Sequence, residues 1–138
     1  MCVSVLLAED TEAMRRAIRN LLSEREDIKI VGEAATLSEV IQKMAELQPD
    51  EIVFDLHMAD GEKDPLPAGP KILAISFAND DEAKILAERI GASVLLDKMD
   101  LSEELIPTIL ELAPTGQQSL ITSVLPEEFS CGRFDDLD

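Results

Sequence analysis

Four places in the sequence set a polar group with chemical potential directly behind an apolar run. Glu9-Asp10 follow residues 3–8, Asp55 follows Ile52-Val53-Phe54, Ser76 follows residues 71–75, and Asp97-Lys98 follow residues 93–96. Three carboxylates gathered at one point repel each other when ionised, so at least one pKa rises unless a cation lies among them. Oxygen donors of this kind suit Mg²⁺, which keeps several waters and takes one or two carboxylates together with phosphate oxygens. Lys98 is a point charge able to hold a transferred phosphoryl oxygen, or to form a salt bridge with Asp55 or Asp10. Ser76 offers a short hydroxyl that can turn inward toward the same oxygen. The chemistry that uses every one of these groups is acceptance of a phosphoryl group on Asp55.

That chemistry requires the four runs to be neighbouring parallel strands, because open α/β sheets bind ligands beyond the carboxyl ends of their strands. The intervening sequence supplies the crossovers. Ala13, Met14, Ala17, Ile18, Leu21 and Leu22 recur at helical spacing, with Arg15, Arg16 and Arg19 on the other face. Thr11 or Asp10 is placed to cap that helix. A short second strand over 28–31 is expected to end at Gly32. Thr36-Leu37-Ser38-Glu39 is a capping box, opening a helix with Leu37, Val40, Ile41, Met44 and Leu47 on one face and its end at Gln48-Pro49.

The stretch 60–70 holds three prolines and two glycines, which rules out an amphipathic helix of ordinary length. Asn79-Asp80-Asp81-Glu82 is a second capping box, leading a helix with Ala83, Leu86, Ala87 and Ile90 buried and Gly91 as its C-terminal cap. A last helix starts near Asp100 or Ser102 and carries Leu105, Ile106, Ile109, Leu110 and Leu112. Pro107 costs it little in the first turn but up to about 3 kcal/mol in the interior. Five strands alternating with helices give an α/β fold with a parallel sheet and right-handed crossovers, the third of them poor in helix.

Length and charge bound the function. A chain of 138 residues is one domain. It carries 29 acids against 12 bases, a net charge of −17. Duplex or single-stranded nucleic acid and anionic membranes both require neutralisation by Lys and Arg, so direct binding to either is not expected. Cys2 and Cys131 stand at opposite ends of the chain, which makes neither a disulfide framework nor a metal cluster and suggests two reduced thiols. The opening apolar run lacks a basic flank and is too short to span a bilayer, so the chain reads as cytoplasmic. Residues 115–138 are a different kind of sequence, an acidic C-terminal tail with five acids and one Arg against 24 and 11 over residues 1–114.

Other chemistries fit poorly. No glycine-rich phosphate loop opens a helix after a strand. His57, the one histidine, has no nucleophile near it in sequence and reads as an exposed loop residue at the mouth of the site.

Taken together, Leu6-Leu7-Ala8-Glu9-Asp10, residues 55–61 (Asp-Leu-His-Met-Ala-Asp-Gly), Ser76 and residues 91–98 ending in Asp97-Lys98 resemble the receiver domain of two-component response regulators. The resemblance covers residues 1–114. It implies a flavodoxin-like, doubly wound five-stranded parallel sheet with helices on both faces, here with the third crossover helix shortened or missing. It further implies phosphorylation of Asp55 by a histidine kinase, a phosphotransfer protein or a small phosphodonor. Mg²⁺ would be bound by Asp10, Asp55 and the backbone carbonyl of His57, with Glu9 reaching it directly or through water, and Ser76 and Lys98 would hold the phosphoryl group. Such a domain is not an enzyme in the ordinary sense, although it catalyses its own phosphorylation and dephosphorylation. A stand-alone receiver would pass its signal to a downstream protein target, with homodimerisation left open.

Four features depart from the family pattern. Phe77 stands where a small residue is usual, Leu95 where an aromatic switch residue is usual, and Met99 where proline follows the lysine. The stretch from Asp55 to Ser76 is also short. These departures keep a second reading in view, an interaction module that retains the fold without phosphorylation. A third, a Mg²⁺-dependent phosphohydrolase with Asp55 as nucleophile, lacks an acid two residues on, where His57 stands.

Overall fold

A computed structural model describes residues 2–62 and 64–114. The acidic tail 115–138, with its apolar run 120–125 and Cys131, lies outside the described residues. Cys2 is not a free thiol, which corrects the expectation of a reduced one there.

The five apolar runs become β1 (Val3–Ala8), β2 (Ile28–Ala34), β3 (Glu51–Asp55), β4 (Lys71–Ser76) and β5 (Val94–Asp97). They form one parallel sheet in the order β2-β1-β3-β4-β5. Among the described residues four α-helices cover it: α1 (Glu12–Leu22), α2 (Leu37–Leu47), α3 (Asp81–Ile90) and α4 (Leu101–Leu112). Strand alternation sends Leu6, Ala8, Ile52, Phe54, Ile72 and Ala74 to one face, against Val40 and Met44 of α2 and Ala83, Ala87 and Ile90 of α3. Val5, Leu7, Val53, Leu73 and Ile75 go to the other, against Ile18 and Leu22 of α1 and Leu101, Leu105 and Ile109 of α4. Each fully buried Leu, Ile or Phe contributes about 1.5–3 kcal/mol of transfer free energy. The aliphatic residues therefore hold β1 and β3 rigidly at the centre.

Helix ends follow the local chemistry with two shifts. Thr36 Oγ1 accepts from Glu39 N–H at 3.2 Å and Glu39 Oε1 accepts from Ala35 N–H at 2.8 Å, a working capping box. Pro49 bars Gln48 from continuing the helix, and Gln48 turns left-handed with φ 46°. At α3 the cap is Asp80, whose Oδ1 accepts from Ala83 N–H at 3.0 Å, one residue later than expected. At α1 neither Asp10 nor Thr11 caps through its side chain; Glu9 Oε2 accepts the Thr11 N–H at 2.9 Å instead. Pro107 lies inside α4.

Gly32 does not end β2. The strand continues to Ala34, and its register jumps so that Val5 pairs Ile30 while Leu6 pairs Gly32, a bulge that passes over Val31. A Cβ on Gly32 would stand 2.7 Å from Leu47 Cδ1, so the glycine serves the close approach of α2.

Among the described residues the third crossover has no α-helix. A 3₁₀ turn at Leu56–Ala59 is followed by an irregular segment. Leu66, buried and hydrogen-bonded through its N–H to Ile90 O at 3.2 Å, pins that segment to the core. Beside it lies a groove of about 530 Å³ lined by Ile41, Met44, Pro49 and residues 67–70.

Candidate functional site

The sheet order brings every polar strand end to one edge. β1 and β3 are adjacent, so Glu9-Asp10 stand beside Asp55, and β4 pairs β5 with Ser76 opposite Asp97, so Lys98 follows on the same side. The carboxylates of Glu9, Asp10 and Asp55 each place an oxygen within 4.8 Å of the others. Glu9 is 0% and Asp55 2% exposed, whereas Asp10 is exposed at the rim.

Lys98 Nζ bridges the two buried acids, 2.9 Å from Glu9 Oε1 and 3.2 Å from Asp55 Oδ1. Its approach to Glu9 neutralises charge without giving Oε1 an aligned hydrogen bond. Asp55 Oδ1 also accepts from His57 N–H at 3.1 Å, which fixes the carboxylate against the 3₁₀ turn. Arg15, on the polar face of α1, donates from Nη1 to the Glu9 carbonyl at 2.7 Å and pairs through Nε with Glu33 at 3.2 Å. Sequence reasoning placed Arg15 on that face but did not assign it to the site.

The electrostatics follow from the geometry. Burial and the neighbouring Glu9 charge push Asp55 up to about 6, while Lys98 and the His57 N–H act in the opposite direction. Burial disfavours the charge on Lys98, yet its contact with Glu9 and the field of Asp55 outweigh that cost and hold its pKa above the usual lysine value. Asp10 loses some solvation, but hydrogen bonding with Asp55, Glu9 and Thr11 leaves it below the ordinary carboxylate range.

The remaining residues fall around this centre. Ser76 Oγ accepts from Ala78 N–H at 3.0 Å, closing a turn. It lines a cleft of about 270 Å³ with His57, Asp60, Asp80 and Leu86. The His57 carbonyl accepts from Asp60 N–H at 3.2 Å, leaving one lone pair for another partner, and its exposed ring pairs with Asp60 through Nδ1 at 2.9 Å. Phe77 is 61% exposed, with Lys98 Nζ 5.1 Å from its ring centroid. Leu95 packs half-buried on the α2–α3 face.

The donor set suits a hard divalent cation. Three carboxylates face one ammonium, two of them are buried, and Glu9 Oε1 still lacks an aligned donor.

One buried acid was not foreseen as unusual. Glu51, the first residue of β3, is 0% exposed, and among the described residues neither carboxylate oxygen is hydrogen-bonded. Burial, and then the charge of Asp50, push it up to about 8 against the pull of Lys71.

Comparison with known proteins matches this arrangement. A sequence profile of the response regulator receiver domain covers residues 5–110. The response regulator protein VraR of Staphylococcus epidermidis is 38% identical over 90 residues, 59% of this chain and 43% of the relative. The uncharacterized transcriptional regulatory protein YhcZ of Bacillus subtilis is 29% identical over 133 residues, 90% of this chain and 60% of the relative. The chain thus spans about half the length of these curated relatives. In fold, the crystal structure of the response regulator domain of Thermotoga maritima CheB superposes with a TM-score of 0.67 at 22% identity, covering 81% of this chain and 96% of that one. Profile, relatives and fold agree with the carboxylates and lysine gathered at one sheet edge: the chain belongs to the response regulator receiver domain family of two-component systems.

Proposed function

We propose that Asp55 is the phosphoacceptor and that Glu9, Asp10, Asp55 and the His57 carbonyl form the seat of a Mg²⁺ ion. The observation that carries this reading is the buried Asp55 carboxylate with Lys98 Nζ at 3.2 Å and two further carboxylates within 4.8 Å. Asp55 supplies an oxygen that forms the new P–O bond. The bond from phosphorus to the donor breaks, a P–N bond in a phosphohistidine or a P–O bond in acetyl phosphate, and its electron pair leaves with the donor. His57 N–H holds one Asp55 oxygen in place, and Lys98 neutralises charge on the transferred group. A bound Mg²⁺ offsets the negative charge of the phosphoryl oxygens beside the carboxylates. Ser76 Oγ accepts from Ala78 N–H and still has its own O–H to donate to the phosphoryl group. The donor is a histidine kinase or phosphotransfer protein, and the added charge of about −1.5 to −2 is read by a protein target.

The test is intact-mass measurement after incubation with Mg²⁺ and acetyl phosphate. One phosphoryl adduct is expected, absent in Asp55→Asn. No adduct on the wild type, or an adduct surviving that substitution, rejects the reading.

A second reading, a phosphorylation-independent interaction module, draws support from the groove beside the helix-poor third crossover and from Leu95 in place of an aromatic switch. Calorimetric Mg²⁺ titration separates the two: binding lost in Asp55→Ala favours the phosphoacceptor.

A further inference from the structure

Phe77 is out of place by ordinary packing rules. It is one of four aromatic residues in the chain, yet it stands 61% exposed immediately after β4. Burying such a ring is favourable, so its exposure calls for a compensating contact. The sheet register supplies one. Ser76 pairs Asp97 across β4 and β5, so the next residues, Phe77 and Lys98, lie side by side where the two strands end. The Lys98 side chain is only 7% exposed. Its ammonium has Glu9 Oε1 at 2.9 Å and Asp55 Oδ1 at 3.2 Å, and the Phe77 ring centroid lies 5.1 Å away. A lysine stem has four rotatable bonds and readily swings to solvent. A cation attracted to an aromatic face within about 6 Å is held there by the ring quadrupole.

We propose that Phe77 is a positioning residue for phosphoryl transfer: its ring forms the third wall of a seat that keeps the Lys98 ammonium directed at Asp55. The inference rests on the phosphoacceptor reading of Asp55 given above. The ring adds no charge to a centre that already holds three acids, so it restrains the ammonium without competing with the carboxylates for it. With those carboxylates engaged by a bound cation, the ring would still offer the ammonium a resting place at the mouth of the site. Phe77 touches neither phosphorus nor Asp55 in this role; it acts through Lys98.

Two measurements on the full chain test this. The first needs no phosphorylation. In ¹H–¹³C NMR spectra, the Lys98 methylenes nearest the nitrogen are expected to be displaced upfield by the ring current. The displacement should vanish in Phe77→Leu and return in Phe77→Trp. Equal Lys98 shifts in wild type and Phe77→Leu overturn the proposal. The second is the initial rate of adduct formation from acetyl phosphate with Mg²⁺. Phe77→Leu, which keeps apolar bulk but loses the aromatic face, is expected to slow the reaction about two- to five-fold, the size of an exposed cation–π contact. Phe77→Trp should react at least as fast as wild type. Rates that rise steadily as the side chain shrinks from Trp through Phe and Leu to Ala overturn the proposal, because the ring is then only a barrier. Equal rates in all variants overturn the role of Phe77 and leave that of Asp55 intact. A wild type that forms no adduct removes the phosphoacceptor reading itself, and with it the reaction for which Lys98 would be positioned.

Discussion

β3 carries a buried carboxyl group at each end, and the two have opposite surroundings. At its carboxyl end Asp55 is met by an ammonium, a backbone N–H and two further acids. At its amino end Glu51 is equally buried and has no hydrogen-bond partner among the described residues. Both carboxyls are pushed up, Asp55 to about 6 and Glu51 to about 8. Burial alone therefore does not make a site. At Asp55 the opposing charge of Lys98 keeps the group ionisable near neutral pH, as the proposed phosphoacceptor role requires. At Glu51 nothing opposes desolvation strongly, and the group is held neutral at a cost in stability.

The contrast can be broken from the Asp55 end first. Lys98→Met leaves Glu9 and Asp55 buried without a cation, so the upper end comes to resemble the lower. A loss of about 3–5 kcal/mol is expected in urea unfolding at pH 7.5, shrinking toward pH 5 as Asp55 protonates. An unchanged midpoint would show that the ion pair carries little of the stability.

The lower end gives the next largest effect. Glu51 has its folded pKa raised to about 8 from an ordinary 4.5, so the folded state binds a proton that the unfolded state releases. Stability is accordingly full below about pH 4.5 and falls as pH rises toward 8, by up to about 1.4 kcal/mol per unit. Glu51→Gln is expected to add about 2–4 kcal/mol at pH 8 and little at pH 4.5. Denaturation curves at the two pH values decide it; a parallel loss at both would mean that Glu51 is not held neutral.

Asp55 has the same sign over a lower window, with stability lost as pH climbs from about 4 to about 6. Added Mg²⁺ should reverse that loss. Saturation at a hundred times the dissociation constant is worth about 2.7 kcal/mol, seen as a larger Mg²⁺-induced rise in Tm at pH 7.5 than at pH 5 and mostly abolished by Asp55→Asn. The smallest expected effect is that of His57→Ala. The ring is exposed and only the backbone carbonyl is assigned to the cation, so Mg²⁺ affinity should change by less than about two-fold; a larger drop would assign the ring a role.

Much of the site was legible because it depends on adjacency that the strand pattern dictates. Apolar runs ending in Glu9-Asp10, Asp55, Ser76 and Asp97-Lys98 can share an edge only in a parallel sheet, and the sheet order delivers them there. Details decided by competing local options were less legible. Glycine both ends strands and sits in bulges, and at Gly32 the packing of Leu47 selected the bulge. Asn79 and Asp80 are nearly equal as caps, and the choice fell to Asp80 where Ala83 could reach the core. Glu51 was unreadable for a different reason. An acid at the start of a strand is buried or exposed according to what the rest of the fold lays over it, and periodicity along β3 says nothing about that. Ser76 likewise could be placed at the edge, but the direction of its hydroxyl depends on the turn that follows.

The helix-poor connection between β3 and β4 bears on how the domain breathes. Its 3₁₀ turn is held by buried Leu56 and Ala59, whereas residues 64–70 attach to the core largely through Leu66 and one backbone hydrogen bond to Ile90. Lifting that segment exposes about one leucine, roughly 1.5–3 kcal/mol, well below the free energy of opening the whole domain. The segment should therefore stand open in about one to several molecules per hundred, while the strands beneath it stay closed. Its amides would exchange with solvent as a separate, early-opening unit, and a protease would cut there before anywhere in the sheet.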